Sequence, residues 1–246
     1  MKRRDKYQPT DEAGDYLTGQ ALYEVAREIG GDTIVLAFSR GKDSLATWLE
    51  LRETFTIIPY YCYMVPGGLS YERDSLDYYE DYFGQHIARF VHPIFWKNIN
   101  DFVFQPPERV RKIREIDYPD HEQYDLAQLV AAMHGLEGNY TAFGYRAKDD
   151  PRRGVLVQRE GPLGFANFRY FWPIWDWNIE QVSTRVNGAG LALPVDYELW
   201  GRTNTAIDYQ FGSIIRDKLP EDWERLCFWY PLLEAEMFRH EVVGRG

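Results

Sequence analysis

This chain predicts an α/β fold, a doubly wound and mostly parallel sheet with helices on both faces, and three observations carry that prediction. Short β-branched or aromatic runs alternate with amphipathic runs of about a dozen residues, the pattern of strand–helix–strand units. The first strand, Thr33 to Phe38, is continuously apolar, as a strand covered on both faces must be. It stops at the turn Ser39-Arg40-Gly41-Lys42-Asp43-Ser44, after which helical spacing begins at once.

The elements follow in order. Ala13 to Ile29 reads as an amphipathic helix with Leu17, Ala21, Leu22, Val25 and Ile29 on one face, stopped by Gly30-Gly31. Leu45 to Leu51 is helical in pattern, and Tyr60 to Val65 is a second strand. Pro59 has no N–H to give a ladder, so it is expected to start that strand or lie outside it. Tyr71 to Phe83 is a tyrosine-rich helix, and Ile87 to His92 a third strand. "PERVRKIRE" (107–115) alternates charges at helical spacing, which fits a solvated helix or lid. Glu122 to His134 is a helix with Leu126, Leu129, Val130 and Met133 on one face. Tyr140 to Phe143 is a fourth strand, and Asn178 to Asn187 a helix capped by Asp176 or Asn178. One domain over 1–205 is expected, with 206–246 as a helical or irregular C-terminal extension packing on it.

The bulk numbers narrow the function. The 246 residues are 45% hydrophobic, enough for a sizeable core. Two cysteines exclude a disulfide framework, a four-cysteine zinc site and a self-contained four-cysteine iron–sulfur cluster, and they fit a reducing compartment. Met1-Lys2-Arg3-Arg4 is followed by polar sequence, so no secretory signal is read, and no apolar run approaches the roughly 18 residues of a membrane span. The expectation is a cytoplasmic protein without a membrane role. A net charge of −10 argues against direct nucleic-acid binding through bulk electrostatics. Any anion site must come from cations placed locally.

Two places supply them. A helix N-terminus offers unpaired N–H groups and the positive end of the helix dipole, and a glycine lets backbone approach an anion. In the turn after the first strand, Gly41 fills that role, Ser39 and Ser44 add hydroxyls, and Arg40 and Lys42 add charge. Asp43 would repel phosphate unless a Mg²⁺ lies between them, which makes it the metal candidate. The bland alternative is a loop whose Ser and Asp cap the next helix. It is not a Walker A loop, because Asp43 follows Lys42 and Ala37 stands five residues before it. Past the fourth strand, Arg146, Lys148, Arg152 and Arg153 put cations together, and Gly144 lets the backbone turn toward a ligand. His86, His92, His121, His134 and His240 show no metal-ligand spacing. His121, among Asp117, Asp120 and Asp125, is the histidine best placed for a substrate-side role.

"SRGKDS" resembles the PP-loop of the adenine-nucleotide α-hydrolase superfamily, Ser-Gly-Gly-x-Asp-Ser, with Arg40 in place of the first glycine. That exchange speaks against a left-handed backbone there. "FGYRAKDDPRR" (143–153) is similar to the Gly-x-Arg segment of the phosphoadenosine phosphosulfate (PAPS) reductase family, which carries an acid and a further Arg downstream. "FWPIWDWNIEQVSTRVNGAGLALPVDYELWG" (171–201) is similar to that family's Pro-Ile-x-Asp-Trp helix start and the Pro, Tyr and Gly that follow. "YMVPGGLSYERDSLDYYEDYF" and "FQPPERV" resemble phage-encoded members, which implies the cytoplasm of a host cell.

The resemblance implies a nucleotide-binding domain over 1–205 that takes ATP, PAPS or adenylylsulfate. Ser39, Arg40, Gly41, Lys42, Asp43, Ser44, Gly144 and Arg146 would form the nucleotide site. Lys42, Asp43, Arg146 and Arg153 would act in catalysis, with Mg²⁺ on Asp43 and without an iron–sulfur cluster. The family's thiol-dependent reductases carry Glu-Cys-Gly-(Leu/Ile)-His near the C-terminus, and nothing like it stands here. Cys227 lies in "RLCFWYPLLEAEMF" and Cys62 in a strand, both apolar settings. The leading expectation is therefore cleavage of ATP between the α and β phosphates, releasing pyrophosphate and adenylylating an unknown acceptor. The alternatives are a PAPS or adenylylsulfate reductase or sulfur-transfer enzyme, and a nucleotide-sensing subunit acting with a protein partner, for example in DNA modification. A protein partner or a homodimer belongs to that last reading.

Overall fold

The computed structural model describes residues 9–116, 118, 122–165, 169–203 and 206–243. Its frame is an α/β sheet of six strands, β1 (Thr33–Ala37), β2 (Thr56–Tyr63), β3 (Ala88–Val91), β4 (Thr141–Phe143), β5 (Leu163–Phe165) and β6 (Arg169–Phe171). Their order is β3-β2-β1-β4-β6-β5. β1 runs parallel to both β2 and β4, β4 is parallel to β6, and β5 alone is antiparallel on β6. Helices flank the sheet, as the sequence predicts. From β1 the chain builds outward to β2 and β3, then returns to lay β4 on β1's other side. The order therefore reverses between β1 and β4, the position where sheets of this kind open a crevice at their carboxyl edge.

The chain divides into two compact units that are not sequential segments. One comprises 1–61, 86–88 and 124–193, the other 62–85, 89–123 and 194–246. The expected C-terminal extension thus shares a unit with two internal stretches. In the first unit α1 (Gly19–Gly30) precedes β1, α2 (Lys42–Leu51) follows it, and α6 (Gln123–Met133), α7 (Pro151–Glu160) and α8 (Ile179–Gly188) complete the helices. Leu45, Ala46, Trp48, Leu49 and Leu51 of α2 are buried, as are Val182 and Val186 of α8. Phe38 meets Trp48 edge to face with ring centroids 5.1 Å apart. Arg185 of α8 clamps α2 from outside, its Nε 2.5 Å from Glu50 and Nη2 donating to Leu49 O at 2.7 Å.

In the second unit, α3 (Ser70–Phe83), α4 (Pro93–Asn100), α5 (Pro107–Ile116), α9 (Asp196–Trp200), α10 (Tyr209–Lys218), α11 (Pro220–Trp229) and α12 (Leu233–Val243) surround one cluster. Met64, Val65, Leu69, Tyr71, Phe95 and Ile99 meet Phe211, Ile215, Leu226, Tyr230, Leu233 and Met237 there. α5 is a helix with Ile113 as its buried residue, which agrees with the solvated helix read from its charges.

Four local expectations need correction. α1 begins at Gly19, not Ala13, because Asp11 folds its carboxylate onto the Ala13 and Asp15 amides and Gly14 and Gly19 take left-handed φ values. Its buried face is Leu22, Tyr23 and Ala26, and Ile29 is 40% exposed. Pro59 is interior to β2, opposite Leu36. Thr56 N donates to Asp32 O and Tyr60 O accepts from Phe38 N, so even-numbered residues face β1 and the proline nitrogen points away from that ladder. α6 buries Leu126, Ala127, Val130 and Ala131, while Leu129 and Met133 are 51% and 63% exposed. No described helix is long and apolar enough to cross a membrane.

Candidate nucleotide site

The β1–α2 turn is closed by its own hydroxyls. Ser44 Oγ, buried, donates to Gly41 O at 2.8 Å and accepts from Ser39 N at 3.2 Å and Ser39 Oγ at 3.1 Å. Thr47 Oγ1 bonds Asp43 O at 2.8 Å. Gly41 is the N-cap residue of α2 and brings no side-chain cap, so the Ser-or-Asp capping alternative is not what this turn does. The first-turn amides of α2 have no acceptor within the helix, which is the anion-binding end of any helix. Arg40, against expectation, does hold the left-handed conformation, with φ 62°. A non-glycine residue there costs on the order of 1–3 kcal/mol, and such strain concentrates at functional sites. Arg40 is 1% exposed, with its guanidinium 5.1 Å from the centroid of the Tyr61 ring, and that cation–aromatic contact helps hold the strained residue.

The second basic segment reaches the same turn. β4 lies beside β1, with Phe143 opposite Ala37, so both strands end at one level. A Cβ on Gly144 would stand 2.8 Å from Asp43 C and Ser44 N and 2.9 Å from Asp43 O. This glycine is thus required for backbone-on-backbone contact with the first turn of α2. Arg146, its side chain 5% exposed, donates from Nε to Asp43 Oδ1 at 2.6 Å and from Nη2 to Asp149 Oδ1 at 3.0 Å. Arg153 Nη1 holds Asp149 Oδ2 at 2.8 Å, and Lys42 Nζ lies 3.8 Å from Asp43 Oδ2. Three cations therefore face two carboxylates in one chain of contacts, leaving the cluster positive.

Arg153 has a second support that the sequence reading did not find. Its guanidinium sits 4.7 Å over the Tyr145 ring, Tyr145 stacks on Trp172 at 4.6 Å, and Trp172 stacks on Tyr170 at 4.4 Å. The available signal was Tyr145 in the basic segment itself, while its stacking partners Tyr170 and Trp172 stand in a separate aromatic run. Arg152 does not join the cluster through its side chain. It lies with Arg153 in the first turn of α7, where Asp150 caps the helix by accepting from Arg152 N at 2.7 Å. The basic segment is therefore half loop and half helix. His121 lies outside the described residues, as do Asp117 and Asp120. His92 caps α4, its Nδ1 accepting from Ile94 N at 3.1 Å, and burial lowers its pKa.

An anion fits the cluster. Arg146 keeps Nη1 and a second Nη2 proton beyond its carboxylate bonds, and Lys42 brings a second positive charge to the same turn. Among the described residues no group of three His, Cys, Asp or Glu side chains could hold a metal. Mg²⁺ bound to phosphates needs only one or two protein carboxylates, and a cation on Asp43 would share it with Arg146 and Lys42.

Burial pushes the Cys62 thiol up to about 12 and the Cys227 thiol up to about 11, with Glu72 and Glu234 adding to the respective shifts. Reactive cysteines have lowered pKa values, and both thiols here are shifted the other way. If the wild type turns over a nucleotide, a Cys62→Ser, Cys227→Ser chain is expected to do so too; loss of that turnover with fold and binding intact would restore thiol chemistry. Comparison with models of known families finds no match for this chain, and comparison with curated proteins finds none either.

Proposed function

We propose that the chain binds an adenine nucleotide between the β1–α2 turn and the segment after β4, and cleaves ATP between its α and β phosphates. The observation that carries the reading is the joining of two sequence-distant motifs at the reversal point of the sheet, by the Gly144 contact and the Arg146–Asp43 pair. An oxygen of the acceptor or of water attacks the α-phosphorus. The α–β bridging P–O bond breaks, and its electron pair leaves with pyrophosphate. The α2 amides and Lys42 hold the departing pyrophosphate, while Arg146 and Arg153 face the α-phosphate region. Preorganised donors of this kind need no reorientation as charge develops, which is the protein's main contribution to such a reaction. Mg²⁺, carried with the phosphates to Asp43, would neutralise charge on the leaving group.

A ligand at a hundred times its Kd stabilises a protein by about 2.7 kcal/mol. For a chain of this size that is roughly 5–10 °C in melting temperature. ATP is expected to give such a shift in the wild type and none in a Lys42→Ala, Ser44→Ala double variant. Lys42→Ala alone separates loss of the cation from loss of the Ser44 lock. An unchanged shift in both variants would remove the site assignment. Tight ATP binding without pyrophosphate release would favour the nucleotide-sensing subunit instead.

A further inference from the structure

Asp176 lies in the turn after β6 and is not the cap of the helix that follows. Asn178 is the N-cap of α8, accepting from Gln181 N at 2.9 Å while Gln181 Oε1 accepts from Asn178 N at 2.8 Å. Asp176 Oδ1 is nevertheless buried, with no hydrogen-bond partner among the described residues. Leaving a carboxylate oxygen so costs stability, and proteins keep such groups where a ligand repays them. β6 pairs parallel with β4, so the turn after β6 leaves the same carboxyl edge as the Arg146 segment. The two are joined by Ala147 N donating to Trp175 O at 2.7 Å.

We propose that Asp176 accepts a hydrogen bond from the nucleoside half of the bound nucleotide, through a ribose hydroxyl or the exocyclic amino group of the base. This rests on the nucleotide reading above. A carboxylate offers acceptors only and repels phosphate unless a cation lies between them, and the carboxylate paired with Lys42 and Arg146 at the phosphate end is Asp43, so Asp176 suits the other half of the ligand. A neutral O–H or N–H donor suits it. Burial also lifts its carboxyl above the ordinary range, with a hydrogen bond from its own backbone N–H and nearby Lys148 opposing the shift, and a more basic oxygen is the better acceptor.

The test is calorimetric titration of the wild type, Asp176→Ala and Asp176→Asn with ATP, 2′-deoxy-ATP, 3′-deoxy-ATP, inosine triphosphate and pyrophosphate. Asp176→Ala is expected to lose tenfold or more in ATP affinity with pyrophosphate unchanged, and its melting temperature is expected to hold or rise because a buried unmet carboxylate is gone. Asp176→Asn keeps one acceptor oxygen and should fall between. The analogue that lacks the donor should bind wild type and Asp176→Ala alike, which identifies whether sugar or base makes the bond. Equal losses for ATP and pyrophosphate, or no loss for ATP, would overturn the assignment. If the wild type binds neither ATP nor pyrophosphate, the nucleotide reading itself fails, and that outcome is visible before any variant is titrated.

Discussion

Replacing Gly144 with alanine is expected to lower the melting temperature by roughly 2–12 °C and to weaken nucleotide binding at the same time. The added methyl meets backbone atoms of Asp43 and Ser44 at 2.8 Å, and backbone cannot rotate aside as a side chain does. Overpacking of this kind costs about 1–3 kcal/mol, and each kcal/mol is about 2–4 °C at this chain length. The strain must move either β4's exit or the first turn of α2, and both belong to the site. Calorimetric melting with and without ATP checks this. A variant that melts like the wild type and keeps its full ATP shift would show that the two segments are not pressed together.

Arg146→Ala is expected to cost about 3 kcal/mol of stability, because it strips two carboxylates of a nearly buried guanidinium. Among the described residues Asp43 is left with the Lys42 cation at 3.8 Å, and Asp149 with Arg153. Arg146→Lys should rescue little, since an ammonium cannot bridge two carboxylates in one plane. The double variant Arg146→Ala, Asp43→Asn should be less damaged than the two single effects summed, which a double-mutant cycle in urea would measure. ATP affinity should fall tenfold or more, as a charged hydrogen bond contributes roughly 1.5–3 kcal/mol. Adenosine, having no phosphate, should bind as before. Equal losses for ATP and adenosine would make Arg146 a support of the fold alone.

The parts of this fold that were legible in the sequence are those where chemistry and periodicity change together. β1 is an uninterrupted apolar run that ends at glycine and polar residues, and α2 starts with its apolar residues at helical spacing, so strand, turn and helix separate cleanly. α7 was hidden because its first turn coincides with the cationic run. Arg152 and Arg153 drew attention as charges, although Asp150-Pro151 is a helix-start signal in its own right. β5 and β6 are three residues each, too short for alternation to show. The α6 error was one of rotation: two apolar faces compete on that helix, and only tertiary packing decides which is covered. The Arg146–Asp43 pair joins residues 103 positions apart, and no local pattern encodes a contact of that range. Arg40 is the reverse case. Its side chain suggested an ordinary backbone, and burial against Tyr61 holds the left-handed one.

The threading of the second unit also has a consequence during synthesis. Met64, Val65, Leu69, Tyr71 and Phe95 leave the ribosome long before Phe211, Ile215, Leu226 and Met237, which complete the same cluster. At a translation rate of about 5–20 residues per second, the early half of that cluster waits roughly 5–25 s for its partners. Through that interval its aromatic and aliphatic side chains have no native cover, while residues 124–193 of the first unit are still being made. The nascent chain is therefore most exposed to aggregation between the completion of α5 and the appearance of α10, and this is the window in which a holding chaperone would matter most to its yield.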